Sequence, residues 1–387
     1  MTTTTTILAG AGLSTEADPV AAARAAALDA IAPLDGASCD LVFLFVSPHH
    51  AGALPIILGI LREVVKPGAL LGCGGLWIVG GSREVEEQPA VSVWAAHLPD
   101  TQVTPFALTY DRTPDGDAFL GWPDEVPEGA TVLALADPYT FPAGSWLEGL
   151  NETHPGLQVI GGMASGGSAP GETRLILDNE VLWNGCVGAL VSGRTKVRAL
   201  VSQGCKPIGA PYAVTGVEQN VLLSLAGQPP LERLKETFAS AETVDRQAMQ
   251  VGLHIGRVVD EYKTEFRRGD FLVRNVLGVD EGSGAIAVGD HIEVGETVQF
   301  HVRDASSADA DLRAMVAAVE RPAGAIMFTC NGRGTRLFGA PDHDASIVSE
   351  SLGSALAGFF CAGELGPVGG SNFVHGFTAS LALFYEE

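Results

Sequence analysis

The sequence predicts a mixed α+β protein of the α/β class, with layered β-sheets flanked by helices, two domains and a weak internal repeat. Three observations carry this. Short, wholly apolar runs rich in β-branched and aromatic residues end in polar loops, as buried strands do. Each is followed by a helix-forming stretch, a glycine-rich stretch and a further apolar run. At 387 residues the chain exceeds one ordinary core and calls for about two or three structural units.

Taken in order, "DPVAAARAAALDAIAPL" predicts an opening helix. Asp18 can cap it, Pro19 suits its first position, the alanines favour it and Pro33 stops it. "LVFLFVSPHH", "TVLALADPYTF" and "GAIMFTCNGRG" predict buried strands that open into polar loops. After each comes a small-residue stretch, "LLGCGGLWIVGG", "VIGGMASGGSAPG" or "GFFCAGELGPVGG", and then a further strand, "VSVWAAHL", "CVGALVSG" or "TASLALFY". Right-handed crossovers would bring the strand ends and glycine loops together along one edge of a sheet. Residues 111–129 are rich in Pro, Gly and Asp and read as a loop. "LAGQPPLERLKETF" combines a break with a helix start and marks a domain boundary, while Leu272–Asp304 reads as an antiparallel meander. "ADADLRAMVAAVE" is a helix leading into the third buried strand.

The net charge of -23 opposes contact with a phosphate backbone or an anionic membrane. "EFRRGD" is too short and too closely bracketed by acids to alter that. No apolar run has membrane-spanning length, and the start, a methionine and five threonines, lacks the basic and hydrophobic regions of a signal peptide. Six cysteines without paired or zinc spacing read as reduced thiols, so a cytoplasmic location is expected. His49 and His50 are adjacent, point opposite ways on an extended chain and have no nearby ligand, so no metal is expected. "GGMASGGSAPG" fits neither a phosphate loop nor a dinucleotide fingerprint, and no cofactor is expected.

Chemistry concentrates near the third strand. "CNGRGTRLFG" offers Arg333 to a carboxylate or phosphate and glycine amides to a close guest. In "FFCAGELGPVGGSNFVHGFTAS", Glu364 can bind an ammonium, with Asn372 and His375 beside it. The alternative is that these residues only make turns and pair with neighbours. Cys330 and Cys361, with His375 as base, are the candidates for nucleophilic catalysis, although free cysteines more often simply pack.

"VIGGMASGG", "SQGCKPIGAPYAVTG", "CNGRGTRLFG" and "LAGFFCAGELGPVGGSNFVHGFTAS" resemble the FIST family, named for F-box and intracellular signal transduction proteins. The resemblance divides the chain into a lead-in with a helix (1–40), a FIST N-terminal domain (41–225) and a FIST C-terminal domain (226–387). It implies a sensory module that binds a small polar metabolite such as an amino acid and signals through a separate protein. The ligand-binding residues it implies are Gly161, Gly162 and Ser165, then Asn331, Gly332, Arg333, Gly334, Glu364 and Asn372, to which the residue chemistry adds His375. Gly74 and Gly75 follow Cys73 where the family often has a hydroxyl residue. A binding protein is favoured over an enzyme, with a cysteine-dependent hydrolase or transferase and a ligand-free interaction scaffold as alternatives.

Overall fold

The computed structural model describes residues 6–114 and 116–387, so residues 1–5 and Asp115 lie outside the described residues. By packing, the chain forms two compact units, Met1–Val201 with Leu312–Val374 and Thr378–Glu387, and Ser202–Asp311 with His375–Phe377.

The first unit is a threefold repeat. The first copy runs β1 (Leu8–Ser14), α1 (Pro19–Ile31), β2 (Leu41–Val46), α2 (Leu54–Val64), β3 (Ala69–Gly74), the hairpin β4 (Ile78–Gly80) and β5 (Arg83–Val85), and β6 (Val91–His97). The second runs β7 (Thr101–Thr113), β8 (Gly116–Leu120), β9 (Thr131–Ala136), α3 (Ala143–Thr153), β10 (Gln158–Met163), the hairpin β11 (Leu175–Leu177) and β12 (Glu180–Leu182), and β13 (Cys186–Gly193). The third opens with β14 (Thr195–Gln203). The second unit follows as β15 (Cys205–Glu218), β16 (Val221–Leu225), α4 (Pro230–Ser240), α5 (Thr243–Val251), β17 (Leu253–Val258), β18 (Phe271–Val279), β19 (Ile286–Val288) and β20 (Thr297–Arg303). Through α6 (Ala305–Ala317) the chain returns to complete the third copy. This consists of β21 (Gly324–Cys330), α7 (Thr335–Phe338), α8 (His343–Leu352), β22 (Ala355–Cys361), the hairpin β23 (Gly363–Val368) and β24 (Ser371–His375), and β25 (Thr378–Glu386).

In each copy two parallel strands joined by helical structure form the centre of a sheet, and the last strand returns antiparallel beside the first of them. The hairpin leaves its own copy. β4–β5 completes the third sheet, β11–β12 the first and β23–β24 the second. The repeat read from sequence is therefore present, but its ends lie on three sheets rather than along one edge of a single sheet. The stretch 111–129, expected to be a loop, instead contains the end of β7 and β8, which pair as a hairpin.

Register fixes which residues are equivalent. Gly72, Gly161 and Gly358 pair with Leu44, Ala134 and Met327, and a Cβ on each would meet that partner's carbonyl oxygen at 2.3, 1.8 and 1.9 Å. No side chain fits so close to a neighbouring strand. Inner faces of the three sheets share one core, in which Phe43, Phe45, Leu135, Ile160, Phe328 and Phe359 are buried. Helices cover the outer faces: α1 and α2 on the first, α3 on the second, α6 and α8 on the third. Burial on both faces explains why the central strands read as continuous apolar runs. Asp18 caps α1 as its sequence predicts, its side chain accepting from Ala21 N at 2.8 Å.

The second unit is a closed barrel in the order β15-β16-β19-β18-β17-β20, so the expected meander is part of a barrel.

Candidate functional site

β21 is buried until Cys330, where the chain turns sharply. Arg333 N donates to Cys330 O at 2.8 Å, and Asn331 N donates to Cys361 O at 2.9 Å, tying the turn to β22. Gly332 N approaches Cys330 Sγ at 3.4 Å. Gly334 precedes α7, whose first amide, Thr335 N, donates to Glu86 Oε1 at 2.9 Å.

Arg333 points inward. It is fully buried, with Nε donating to Asp344 Oδ2 at 2.6 Å and Nη2 to Oδ1 at 2.9 Å, and its guanidinium lies 5.3 Å from the Phe338 ring. Thr329 Oγ1 donates to Asp344 Oδ2 at 3.1 Å, and His343 Nδ1 lies 3.0 Å from Oδ1. Burial works to raise the Asp344 pKa, but the Arg333 charge and hydrogen bonds overcome it and hold the carboxyl well below its usual range. From the exchanged hairpin, Glu84 Oε1 accepts from Ala345 N at 3.0 Å while Oε2 has no partner among the described residues. Burial first, and Asp344 second, push Glu84 up to about 8. A buried guanidinium needs such a partner. Arg333 thus shapes the turn, whereas the sequence suggested a hand held out to an anion.

Glu364 on β23 is also fully buried. Its Oε2 accepts from Thr378 N at 3.2 Å and from Thr378 Oγ1 at 2.7 Å, but Oε1 has no hydrogen-bond partner among the described residues. Burial pushes this carboxyl up to about 8, against the pull of the Thr378 bonds, Arg333 and Cys330. Near neutral pH it is mainly the protonated acid, able to donate as well as accept.

The repeat shows that folding does not require an acid here. Glu364 stands across from Gly162, Leu175 across from Cys73 and Ile78 across from Phe359, each one step from the equivalent glycines. Two copies place a buried aliphatic residue where the third places a carboxyl. Likewise Ser47 lies three residues after Leu44 as Cys330 lies three after Met327, and Ser47 Oγ accepts from the amide of Ala90 at 2.9 Å. In the third copy the corresponding amide, Thr378 N, goes to Glu364.

The other predicted residues have defined places. Gly161 is a close-packing position, and a Cβ on Gly162 would meet Cys361 Sγ at 2.4 Å. Ser165 joins the copies, its Oγ donating to Phe360 O and accepting from Leu76 N at 2.8 Å. Asn331 Oδ1 is buried without a partner among the described residues. Asn372 bridges β24 to the second copy, with Oδ1 accepting from Val159 N at 2.8 Å and Nδ2 donating to Leu157 O at 2.7 Å. His375 packs with the second unit and is buried. None of the six cysteines is in a disulfide, and Cys330 alone is half-buried rather than buried. Burial raises Cys361 well above the ordinary thiol value, which keeps it protonated and a poor nucleophile.

Sequence reasoning missed Glu84, Asp344 and Thr378. Asp344, in "PDHDAS", lies 11 residues after Arg333, and only the fold makes it the partner. Among the described residues no group of three or more His, Cys, Asp or Glu side chains is arranged to hold a metal, and no helix is long and apolar enough to cross a membrane.

The family description for the FIST N domain matches residues 40–228, and that for the FIST C domain matches residues 230–367. The chain belongs to the FIST family. FIST domains are in general sensory domains of signal transduction. This FIST chain is 45% identical over 383 residues to the uncharacterized protein Rv0628c of Mycobacterium tuberculosis, covering 97% of this chain and 99% of that one. It is 44% identical over 384 residues to the uncharacterized protein Mb0898c of Mycobacterium bovis, covering 98% and 99%. Among solved structures, a cyanuric acid hydrolase from A. caulinodans aligns over 98% of this chain and 99% of its own at 10% identity and a TM-score of 0.31. At that score nothing is transferred from it.

Proposed function

We propose that this FIST protein senses a small polar metabolite that carries a hydrogen-bond donor, with an amino acid or related amine as the class that fits best. The observation that carries the reading is Glu364 Oε1, an acceptor buried without a partner where the other two repeats are aliphatic. Buried polar atoms are rarely left unpaired, so such an atom marks a place for a guest. An ammonium there would stabilise the carboxylate and release its proton. Asn331 Oδ1 offers a second acceptor, and Gly332 and Gly334 let backbone approach closely. Gly161, Gly162, Ser165 and Asn372 support this arrangement by packing and hydrogen bonding, and Arg333 fixes the turn. Signalling through a separate protein and a cytoplasmic location belong to the same proposal.

The test is native followed by denaturing mass spectrometry of the purified protein, together with a thermal-shift panel of the twenty amino acids. The expected result is a stoichiometric small molecule, or stabilisation by at least one amino acid that Glu364→Gln removes. No co-purified molecule and no shift, or an equal shift in the variant, would overturn it.

One observation favours a second reading, a cysteine-dependent transferase or hydrolase. Cys330 is the half-buried thiol, and it interacts with the carboxyl of Glu364. Rapid alkylation of Cys330 at neutral pH that slows in Glu364→Gln would favour it; slow labelling of every cysteine would dismiss it.

A further inference from the structure

The second unit holds a cluster that the reading above does not use and that does not rest on Glu364. His254 on β17 and His301 on β20 face each other in antiparallel register, and both are buried. Cross-strand partners project to one face of a sheet, so the two rings are neighbours. His301 Nδ1 meets Gln299 O at 3.0 Å, whereas His301 Nε2 has no hydrogen-bond partner among the described residues, and the hydrogen-bonding group beside the His254 ring is the side chain of Asn275. Two buried imidazoles so short of partners in one place call for an explanation.

The surroundings indicate what is missing. Phe271 meets the His301 ring edge-on with centroids 4.8 Å apart, and Phe377 lies against His254 at 4.4 Å. Arg303, whose guanidinium sits 5.1 Å from the Phe377 ring, acts electrostatically on His254, and Arg268 acts on His301. Arg268 donates from Nη1 to Ser307 O at 2.7 Å and lies 3.8 Å from Asp311, while its Nε is buried without a partner among the described residues. On the neighbouring strands, Asn275 of β18 stands opposite His254, and Cys205 of β15 opposite Arg303. Burial, reinforced by these cationic neighbours, pushes both imidazoles down to about 4. A metal cation would meet two guanidinium groups here. An anion would meet two guanidinium groups and two neutral rings, one of which its charge would help to protonate.

We propose that His254, His301, Arg268 and Arg303 form a binding site for a small oxyanion, a carboxylate or a tetrahedral phosphate-like group, taken up together with a proton. The anion lies against the basic side chains, one imidazole accepts a proton from solvent, and the new ring N–H donates to an anion oxygen. The imidazolium charge offsets one negative charge of the anion, so a monoanion taken up with its proton leaves the net charge of the site unchanged.

The test is isothermal titration calorimetry of the whole chain with acetate and, separately, with sulfate, neither of which changes charge between pH 6 and pH 8. Buffers of different ionisation enthalpy report the protons exchanged. The expected result is uptake of one proton and affinity that rises about tenfold for each pH unit of acidification. Binding in one arm alone names the planar or the tetrahedral oxyanion. Arg268 is partly exposed, so Arg268→Gln should fold and should weaken binding at least about tenfold, as one charged hydrogen bond is lost. Replacing both imidazoles, His254→Gln with His301→Gln, should abolish the proton uptake. No heat with either anion, pH-independent affinity, unchanged affinity in Arg268→Gln, or binding of zinc with proton release would each overturn the proposal.

Discussion

Glu364 and Ile78 hold the same place in two copies of one folding unit, each one step from an equivalent glycine on the partner strand. What the aliphatic residue does by packing, the carboxyl does only while it carries its proton. Its ordinary value of 4.5 rises to about 8 in the folded chain. A raised value means that its contribution to stability is complete below pH 4.5 and is lost as pH climbs through 8. Glu364→Gln should therefore flatten the fall in melting temperature between pH 5 and pH 8.5, a fall that one such group sets at about 1.4 kcal/mol per pH unit at most. Identical pH profiles for the two proteins would show that the carboxyl does not titrate as described.

Gly162 faces that carboxyl. Because a Cβ there would meet Cys361 Sγ at 2.4 Å and Phe328 at 3.3 Å, Gly162→Ala should overpack the core and cost about 1–3 kcal/mol in urea unfolding. Gly59, with open space around its Cβ position on α2, is the control, and Gly59→Ala should stabilise by about 0.5–1 kcal/mol.

Removing Arg333 should be far more damaging than removing its pair together. Arg333→Ala leaves Asp344 buried and unpartnered by any guanidinium, at a cost of about 3–5 kcal/mol. The double variant Arg333→Met with Asp344→Leu should recover most of that loss in denaturant titrations. If the double variant is the less stable one, the pair contributes more than mutual neutralisation.

Acid should act on the second unit in the opposite sense to its effect on Glu364. His254 and His301 fall from 6.5 to about 4, so the stability they lend is present above pH 6.5 and disappears as pH drops toward 4. Hydrogen exchange, corrected for intrinsic rate, should show β17 and β20 losing protection between pH 6.5 and pH 4.5 more steeply than β9 and β10. Equal loss in both units would argue against the histidines as the cause.

Much of the first unit was legible because its central strands are buried on both faces. "LVFLFV", "TVLALA" and "GAIMFTC" could be read from composition alone, and so could the helix capped by Asp18. Hairpin exchange was not legible, since the pairing of Leu175 with Cys73 or of Val79 with Gly358 is set by core geometry between distant segments. For the same reason Glu364 and Arg333 stood out by residue type, but the sequence did not show that Asp344 neutralises Arg333 or that Thr378 meets only one oxygen of Glu364.

The hairpin exchange makes the three copies interdependent in a closed cycle, each needing a segment that another supplies. Deleting one copy would leave a second sheet incomplete and a hairpin without a seat, so this FIST unit cannot be shortened by whole repeats. The same arrangement sets a hazard during refolding: a sheet waiting for its hairpin accepts an identical one from a neighbouring molecule equally well, and concentrated refolding will trap swapped oligomers that dilution alone does not separate.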